Sequence, residues 1–549
     1  MIAQKNRGVN EYTVFGTNNN ILLYETFFSK TFYFFLKTIY TILMKSIKNL
    51  FLGVVLIMST ITSCATNSSK ETAATTSSPA FKATGMQKKM AEKAVKSLSE
   101  NNPINAWKFT ADPAVLVYND TIYIYGTNDF QQVEYTAGLE DNGYGRINTL
   151  NIFSSKDLVN WTDCGEVKVA GPDGAAKWAR NSWAPAIAVK NIDGKDKFFL
   201  YFADSANGIG VLSADSPTGP FTDPLGVALV SRAAPNMQGV YWLFDPAVFV
   251  DDDGTGYIYF GGGLDKDAAH PKSARCARLQ PDMISLDTKP AEIDAPYLFE
   301  DSGINKINGK YYYSYCSNWI DRGDAKGPEV PSIASICYMT SDNPLGPFTY
   351  QGETLLNPGR YFGPWGNNHH WIFQLKGKWY IAYHTQTMEK TVGLLKGGYR
   401  NIFISDFKIN DDGTIPVQSV TKAGPERICA FNPYETIPAA TLRTSKNLVI
   451  MPGKVFPIAE DAYLEIDGAD LSKGASSITV KPTAGSHSGT LKITLDREKG
   501  PELATITLKG DSETTSSLTL PSDFDSSVLH KIFFIYNGDF ALESWKIEK

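Results

Sequence analysis

Five times between about residues 105 and 425 the chain repeats one pattern: a short apolar strand opening on a small or acidic residue, a polar turn, and a strand rich in Tyr and Phe. The copies are ADPAVLVYNDTIYIYGTND from Ala111, SWAPAIAVKNIDGKDKFFLYFAD from Ser182, FDPAVFVDDDGTGYIYFGGG from Phe244, FEDSGINKINGKYYYSYCSN from Phe299 and NNHHWIFQLKGKWYIAYHTQT from Asn367. A third strand recurs as NIFSSKDLVNW from Asn151, GVLSADSPTGPF from Gly210 and CYMTSDNPLGPF from Cys337. Copies start about 55 to 72 residues apart, longer than a helical solenoid repeat and sufficient for a four-stranded blade. The pattern predicts an all-β chain with a five-bladed β-propeller over residues 105–428.

Composition agrees with this reading. Aromatic residues make up 12% of the 549, with 45 Gly and 29 Pro between them, which favours short strands and many turns. Aromatic rings with polar tips also suit a sugar-binding surface. A balance of 52 Lys+Arg against 58 Asp+Glu leaves no basic excess for nucleic acid, and 43% hydrophobic residues against 20% charged exclude general disorder.

The register of the repeat carries a functional consequence. Innermost propeller strands run side by side around an axis, so equivalent positions form a ring at one mouth. Asp112, Asp245 and Glu300 open the first, third and fourth copies, and three carboxylates are thus expected in one pocket. Acid–Pro pairs also begin strands well, but that explains single copies and not three equivalent positions. Crowded like charges raise at least one pKa, as an acid/base pair requires.

The segments ADPAV, SWAPAIA, FDPAVFVDDDGTGYIYFGGG, FEDSG, SDNPLGPF, GNNHH and GYRNIFI together resemble family 43 glycoside hydrolases, most closely the arabinofuranosidase and xylosidase branch. The resemblance implies an inverting hydrolysis with Asp112 as general base, Asp245 as the acid that tunes and positions the proton donor, and Glu300 as general acid. No cofactor is required for such chemistry. It also implies that His369 faces the axis beside a structural calcium, with His370 competing for that place and a plain core histidine as the other reading. Asn367 and Arg400 resemble residues that hydrogen-bond the terminal sugar; for Arg400 the alternative is a surface salt bridge. Trp183 either stacks on a sugar ring or packs between blades. The run Asp251-Asp252-Asp253-Gly254 lacks the spacing of a calcium loop and reads as a hairpin turn.

After about 430 the chain turns to Thr, Ser and alternating apolar residues, as in SITVKP, LKITLD, ATITLK and KIFFIY, which predicts a β-sandwich over 429–549. NPY at 432–434, AYLEIDGADLSKGA and FALESWKIE resemble a family 6 carbohydrate-binding module. Pro438 and Ala440 stand where such modules carry a Glu-x-Glu metal pair, and Ala541 stands where a ligand-contacting Asn is common. The expected role of this domain is to brace the propeller.

At the other end, MKSIKNLFLGVVLIMSTITSC from Met44 has a basic start, an apolar core too short to span a membrane and small residues before Cys64. It resembles a lipoprotein signal over 44–63 with Cys64 as the lipidated residue. Residues 1–43 then read as an over-extended start, and 64–104 as a flexible tether. Six cysteines without a Cys-x-x-Cys spacing argue against a zinc or iron–sulfur framework. The chain therefore reads as a monomeric, lipid-anchored, periplasmic or surface exo-glycosidase releasing α-L-arabinofuranose from arabinoxylan or related plant polysaccharide. The rivals are a β-xylosidase on xylo-oligosaccharides and a non-catalytic glycan-binding lipoprotein, the latter disfavoured because all three acids are present.

Overall fold

The computed structural model describes residues 80–264 and 267–549. The signal over 44–63 and Cys64 lie outside them. Each of the five repeat copies forms an antiparallel hairpin, and each hairpin begins a separate sheet. The first sheet runs Ala111–Tyr118, Thr121–Thr127, Thr149–Ser155 and Trp161–Lys168, and the second begins with Trp183–Ile192. The third, fourth and fifth begin with Ala247–Val250, Leu298–Ile307 and His370–Leu375. Four of the hairpin turns place both central residues at positive φ: Asn119-Asp120, Asp193-Gly194, Asn308-Gly309 and Lys376-Gly377. That is the geometry whose twist matches the strands it joins. In the third copy Asp251–Gly254 forms the turn, as expected, and Asp251 accepts from Lys306 Nζ at 2.6 Å.

The first strands of the five sheets touch in chain order, and that of the fifth sheet touches that of the first. A closed ring results, with equivalent strand starts gathered around one axis. The chain before the first sheet seals it: Ile104 N donates to Ile402 O at 3.0 Å and Thr110 N to Arg400 O at 2.8 Å, along the last strand of the fifth sheet.

Beyond residue 436 the strands form two further antiparallel sheets, of six and five strands, with inward residues such as Leu464, Ile478, Ile532 and Trp545 in one core. The boundary expected at 429 is not a gap. Thr441–Leu442 pairs with Thr162 and Trp161 as a fifth strand of the first sheet. Trp107, Ile124, Phe153 and Trp161 belong to the same apolar cluster as Leu442, Leu464 and Trp545. The two parts thus bury one continuous core, and separating them returns its apolar surface to water. Ala440 and Ala541, at the departures from the carbohydrate-module pattern, are both fully buried.

The tether expected over 64–104 is corrected for its described part. Helix α1 (Gly85–Lys93) starts with a capping box in which Thr84 Oγ1 accepts from Gln87 N at 3.1 Å and Gln87 Oε1 accepts from Thr84 N at 2.9 Å. Met86, Met90 and Ala94, spaced by four, are buried against Phe109, Phe130 and Tyr399. The Ser/Thr-rich run before residue 80 masked this short amphipathic stripe. The five described cysteines, Cys164, Cys276, Cys316, Cys337 and Cys429, are all free thiols.

Candidate active site

Backbone register explains how the acids come together. Ala114 pairs with Tyr125, Ala186 with Tyr201, Ala247 with Tyr259 and Gly303 with Ser314. Two residues before each of these lie Asp112, Ala184, Asp245 and Asp301, all at positive φ, 49°, 38°, 47° and 70°. Aspartate tolerates this conformation better than most residues. The expected equivalence of Glu300 with Asp112 and Asp245 is therefore off by one: Asp301 holds that position, and Glu300 matches Ala111 and Trp183. A register shift lies between Glu300 and Gly303, as it does between Ala111 and Ala114 and between Trp183 and Ala186, and in the fourth copy the two residues that enter it are both acids, which join the axial cluster. Gly303 is needed there, because a Cβ on it runs into Ser314 Oγ and comes within 3.1 Å of His370 Nε2.

Asp112 is only 4% exposed, and Arg400 NH1 donates to its Oδ1 at 2.7 Å. His384 Nδ1 lies 3.2 Å from both the backbone N and Oδ1 of Asp112. Burial by itself raises the pKa of this carboxyl, but the Arg400 charge, with His384 and His369, outweighs it and holds Asp112 well below the usual carboxylate range. Asp245 is the opposite case. Burial and the charges of Asp112 and Asp301 push its carboxyl well above the usual range, although its Oδ2 accepts from Asp301 N at 3.0 Å. Glu300 is likewise raised by burial and by Asp245 and Asp112, and its Oε1 is buried with no hydrogen-bond partner among the described residues. One ring thus holds a carboxyl whose pKa is lowered by a cation and two whose pKa values are raised, one of them with an oxygen that has no partner among the described residues.

Arg400 is neither a surface salt bridge nor free for sugar alone. It is 2% exposed, and Asp129 takes its Nε at 2.9 Å, NH2 at 2.9 Å and backbone N at 3.0 Å. This bidentate pair fixes the plane of the guanidinium that holds Asp112. Asp129 starts helix α2 (Asp129–Thr136) and went unrecognised in the sequence, where its partner stands 271 residues away. Trp183 is half-buried, donates from Nε1 to Tyr144 O at 3.1 Å and meets the Tyr144 ring edge-on, so it packs against the loop of the first sheet at the register position of Glu300. Asn367 accepts from His384 Nε2 through its carbonyl at 2.9 Å, while its side-chain Oδ1 is buried without a partner among the described residues.

His369 does reach the axis. Its Nε2 is 3.1 Å from Asp301 Oδ1, and its Nδ1 is 3.7 Å from Asp112 Oδ1 and 3.8 Å from Asp245 Oδ2. Burial lowers its pKa and outweighs the charges of Asp301 and Asp112, which act to raise it. Calcium takes six to eight oxygen ligands, whereas His369 already holds Asp301, Arg400 holds Asp112, and no group of three His, Cys, Asp or Glu among the described residues is placed to hold a metal. The calcium that the resemblance implies, however, is coordinated by His369 and otherwise by water, and such an ion needs no group of three protein ligands. His370 is the core histidine: its Nδ1 lies 2.5 Å from Asp301 Oδ2 and its Nε2 2.7 Å from Ser314 Oγ. All three are buried, so this Ser–His–Asp array braces Asp301 and presents no nucleophile to solvent.

Residues 101–415 match the family model "Glycosyl hydrolases family 43". The chain is 41% identical over 468 residues to an arabinoxylan arabinofuranohydrolase of Bacillus subtilis, covering 81% of this chain and 90% of that protein. It is 39% identical over 474 residues to one of Paenibacillus polymyxa, covering 81% and 74%. A crystal structure of a family 43 arabinoxylan arabinofuranohydrolase from Bacillus subtilis in complex with cellotetraose superposes with a TM-score of 0.79 at 39% identity, over 84% of this chain and all of that one.

Proposed function

The chain belongs to glycosyl hydrolase family 43, and from that premise we propose that it is an exo-acting, inverting enzyme releasing α-L-arabinofuranose from arabinoxylan or a related plant polysaccharide. The observation that carries the chemistry is the contrast within one ring: Arg400 is hydrogen-bonded to Asp112 and lowers its pKa, while Glu300 is buried beside two acids that raise its own, with an Oε1 that has no partner among the described residues. The kinship to the two arabinoxylan arabinofuranohydrolases supports arabinofuranose as the sugar.

In this mechanism Glu300 gives its proton to the glycosidic oxygen as the bond to the anomeric carbon breaks. Asp112 takes a proton from water, which attacks that carbon from the opposite face, and inversion follows because the water replaces the leaving group in one displacement. Asp245 and Glu300 are neighbouring carboxyls whose pKa values are both raised, so the pair resists full ionisation and keeps a proton available for transfer, and Arg400 with Asp129 holds the base. Trp183 and Asn367 line the sugar side of the mouth. The carboxyl groups suffice for this chemistry, and no step runs through a metal or cofactor.

The ring of five sheets reads as the five blades of a β-propeller over 105–428, and the two C-terminal sheets as a β-sandwich like a family 6 carbohydrate-binding module. The shared core supports a bracing role for it. Residues 44–63 read as a lipoprotein signal and Cys64 as the lipid-bearing residue of a monomeric protein anchored at a membrane or cell surface. Intact-mass analysis checks this: a lipidated chain starting at Cys64 supports the reading, and an unmodified cysteine there removes it.

Proton NMR during hydrolysis of arabinoxylan and aryl glycosides tests the activity, the sugar and the stereochemistry together. Release of arabinose with inverted anomeric configuration is expected. Xylose as the released sugar selects the xylosidase alternative, and a retained configuration overturns the single displacement.

A further inference from the structure

Helix α1 touches nothing that reacts, yet it sits on both segments that carry the Arg400 chain. One segment is α2 and its continuation to Asn142, which begins with Asp129; the other is helix α3 (Thr387–Thr391) and the turn that ends at Arg400. Tyr399 joins them: its hydroxyl lies 2.8 Å from Thr136 Oγ1 and donates to Glu140 O at 2.9 Å. The backbones add Asn142 N to Gly397 O at 2.9 Å, and Asp141 Oδ1 accepts from Gly397 N at 3.0 Å. Met86 and Met90 share one apolar cluster with Val133 and Phe130 of α2, Met388 of α3, and Tyr399.

Polar contacts tie the helix to each side as well. Thr84 Oγ1 donates to Glu134 Oε1 at 2.6 Å on the α2 side, and Lys89 Nζ donates to Gly393 O at 3.0 Å on the other. Its far end reaches the C-terminal sheets, where Asn447 N donates to Ala91 O at 2.7 Å. A nine-residue helix is marginal by itself in water, so its place is set by this seat and not by propensity.

We propose that α1 is a positioning element for hydrolysis: seated across both segments, it holds Tyr399 against Thr136 and so fixes the Asp129–Arg400–Asp112 chain that aims the water-activating carboxylate. The inference rests on Asp112 as base. The geometry gives it weight, because Arg400 follows Tyr399 directly and spans from Asp129 to Asp112 with contacts of 2.9 and 2.7 Å. A base displaced by about 1 Å through a change far from the chemistry loses about a hundredfold in rate.

Three variants of the full chain test it on an aryl arabinofuranoside, each measured well below its melting temperature. Tyr399→Phe keeps the ring and removes the hydroxyl that joins the segments; Met90→Ala hollows the seat, and Met90→Leu refills it. The expected result is a kcat lower by about ten- to a hundredfold in Tyr399→Phe and Met90→Ala, with KM within about twofold, and recovery in Met90→Leu. Wild-type kcat in Tyr399→Phe, or a Met90→Ala variant that melts earlier while each folded molecule keeps its kcat, overturns the positioning role. Failure of the underlying reading looks different: the wild type itself then shows no turnover, or retains anomeric configuration.

Discussion

Asp112→Asn is expected to abolish turnover while sugar binding stays near normal, the largest effect available from one substitution in this protein. Asparagine preserves the shape of the side chain and an oxygen that accepts from Arg400, so the guanidinium keeps both neighbours, Asp129 included. The substitution removes the capacity to take a proton from water. That interaction is made in the transition state, so its loss falls on kcat, by about two to four orders of magnitude for a general base. Emptying the position is a different experiment, because removing one partner of a buried ion pair costs about 3–5 kcal/mol of stability. Calorimetric titration with an arabino-oligosaccharide checks the claim, and a large loss of affinity in Asp112→Asn reassigns Asp112 to sugar binding.

Glu300→Gln is expected to lose about a hundredfold or more on polysaccharide and far less on an aryl glycoside with an acidic phenol. The sugar alkoxide leaves only with a proton, whereas the phenolate leaves without one. The pH profile gives a second readout. Burial and the charges of Asp245 and Asp112 raise the Glu300 pKa, so its proton is present at low pH and lost as pH rises through that raised value. The alkaline limb of kcat/KM therefore belongs to Glu300 and disappears in Glu300→Gln on the activated substrate. Asp112 is lowered, so the acid limb, where the base becomes protonated, falls below the ordinary carboxylate range. Equal losses on both substrates, with the alkaline limb unchanged, would falsify Glu300 as the proton donor.

Much of this was legible along the chain because the repeat is local. A hairpin is made by residues within about twenty positions of each other, and turns such as Asp193-Gly194 and Asn308-Gly309 state their geometry in their residue types. Five such hairpins were readable, and so was the convergence of Asp112 and Asp245, whose equivalence follows from the repeat alone. Glu300 was found by the same route for a partly wrong reason. The shift between Glu300 and Gly303 recurs in the first two copies and does not set the fourth apart; aligning FEDSG on ADPAV and FDPAV puts Asp301 opposite Asp112 and Asp245, and only the folded ring shows Glu300, one residue earlier, beside them as well.

Tertiary structure decided everything that depends on partners distant along the chain. Asp129 and Arg400 stand 271 residues apart, and neither side chain announces the other; only closure of the ring brings them together and turns Arg400 from a sugar-contact candidate into the charge that ionises Asp112. The same holds for the carboxyl pKa values. Identical carboxyl groups in Asp112 and Asp245 shift in opposite directions because Arg400 is hydrogen-bonded to Asp112, whereas at Asp245 burial and like charge outweigh the Asp301 N–H and the more distant Arg400. Helix α1 and the strand Thr441–Leu442 carry weak local signals, and their places come from apolar seats supplied by remote segments. The sequence by itself determined the number and kind of hairpins and the family chemistry, since these rest on short-range turn geometry and on residue type. Charge state, the Asp129–Arg400–Asp112 chain and the joining of the two parts into one core came only with the folded chain, because they arise from burial and from contacts across the ring.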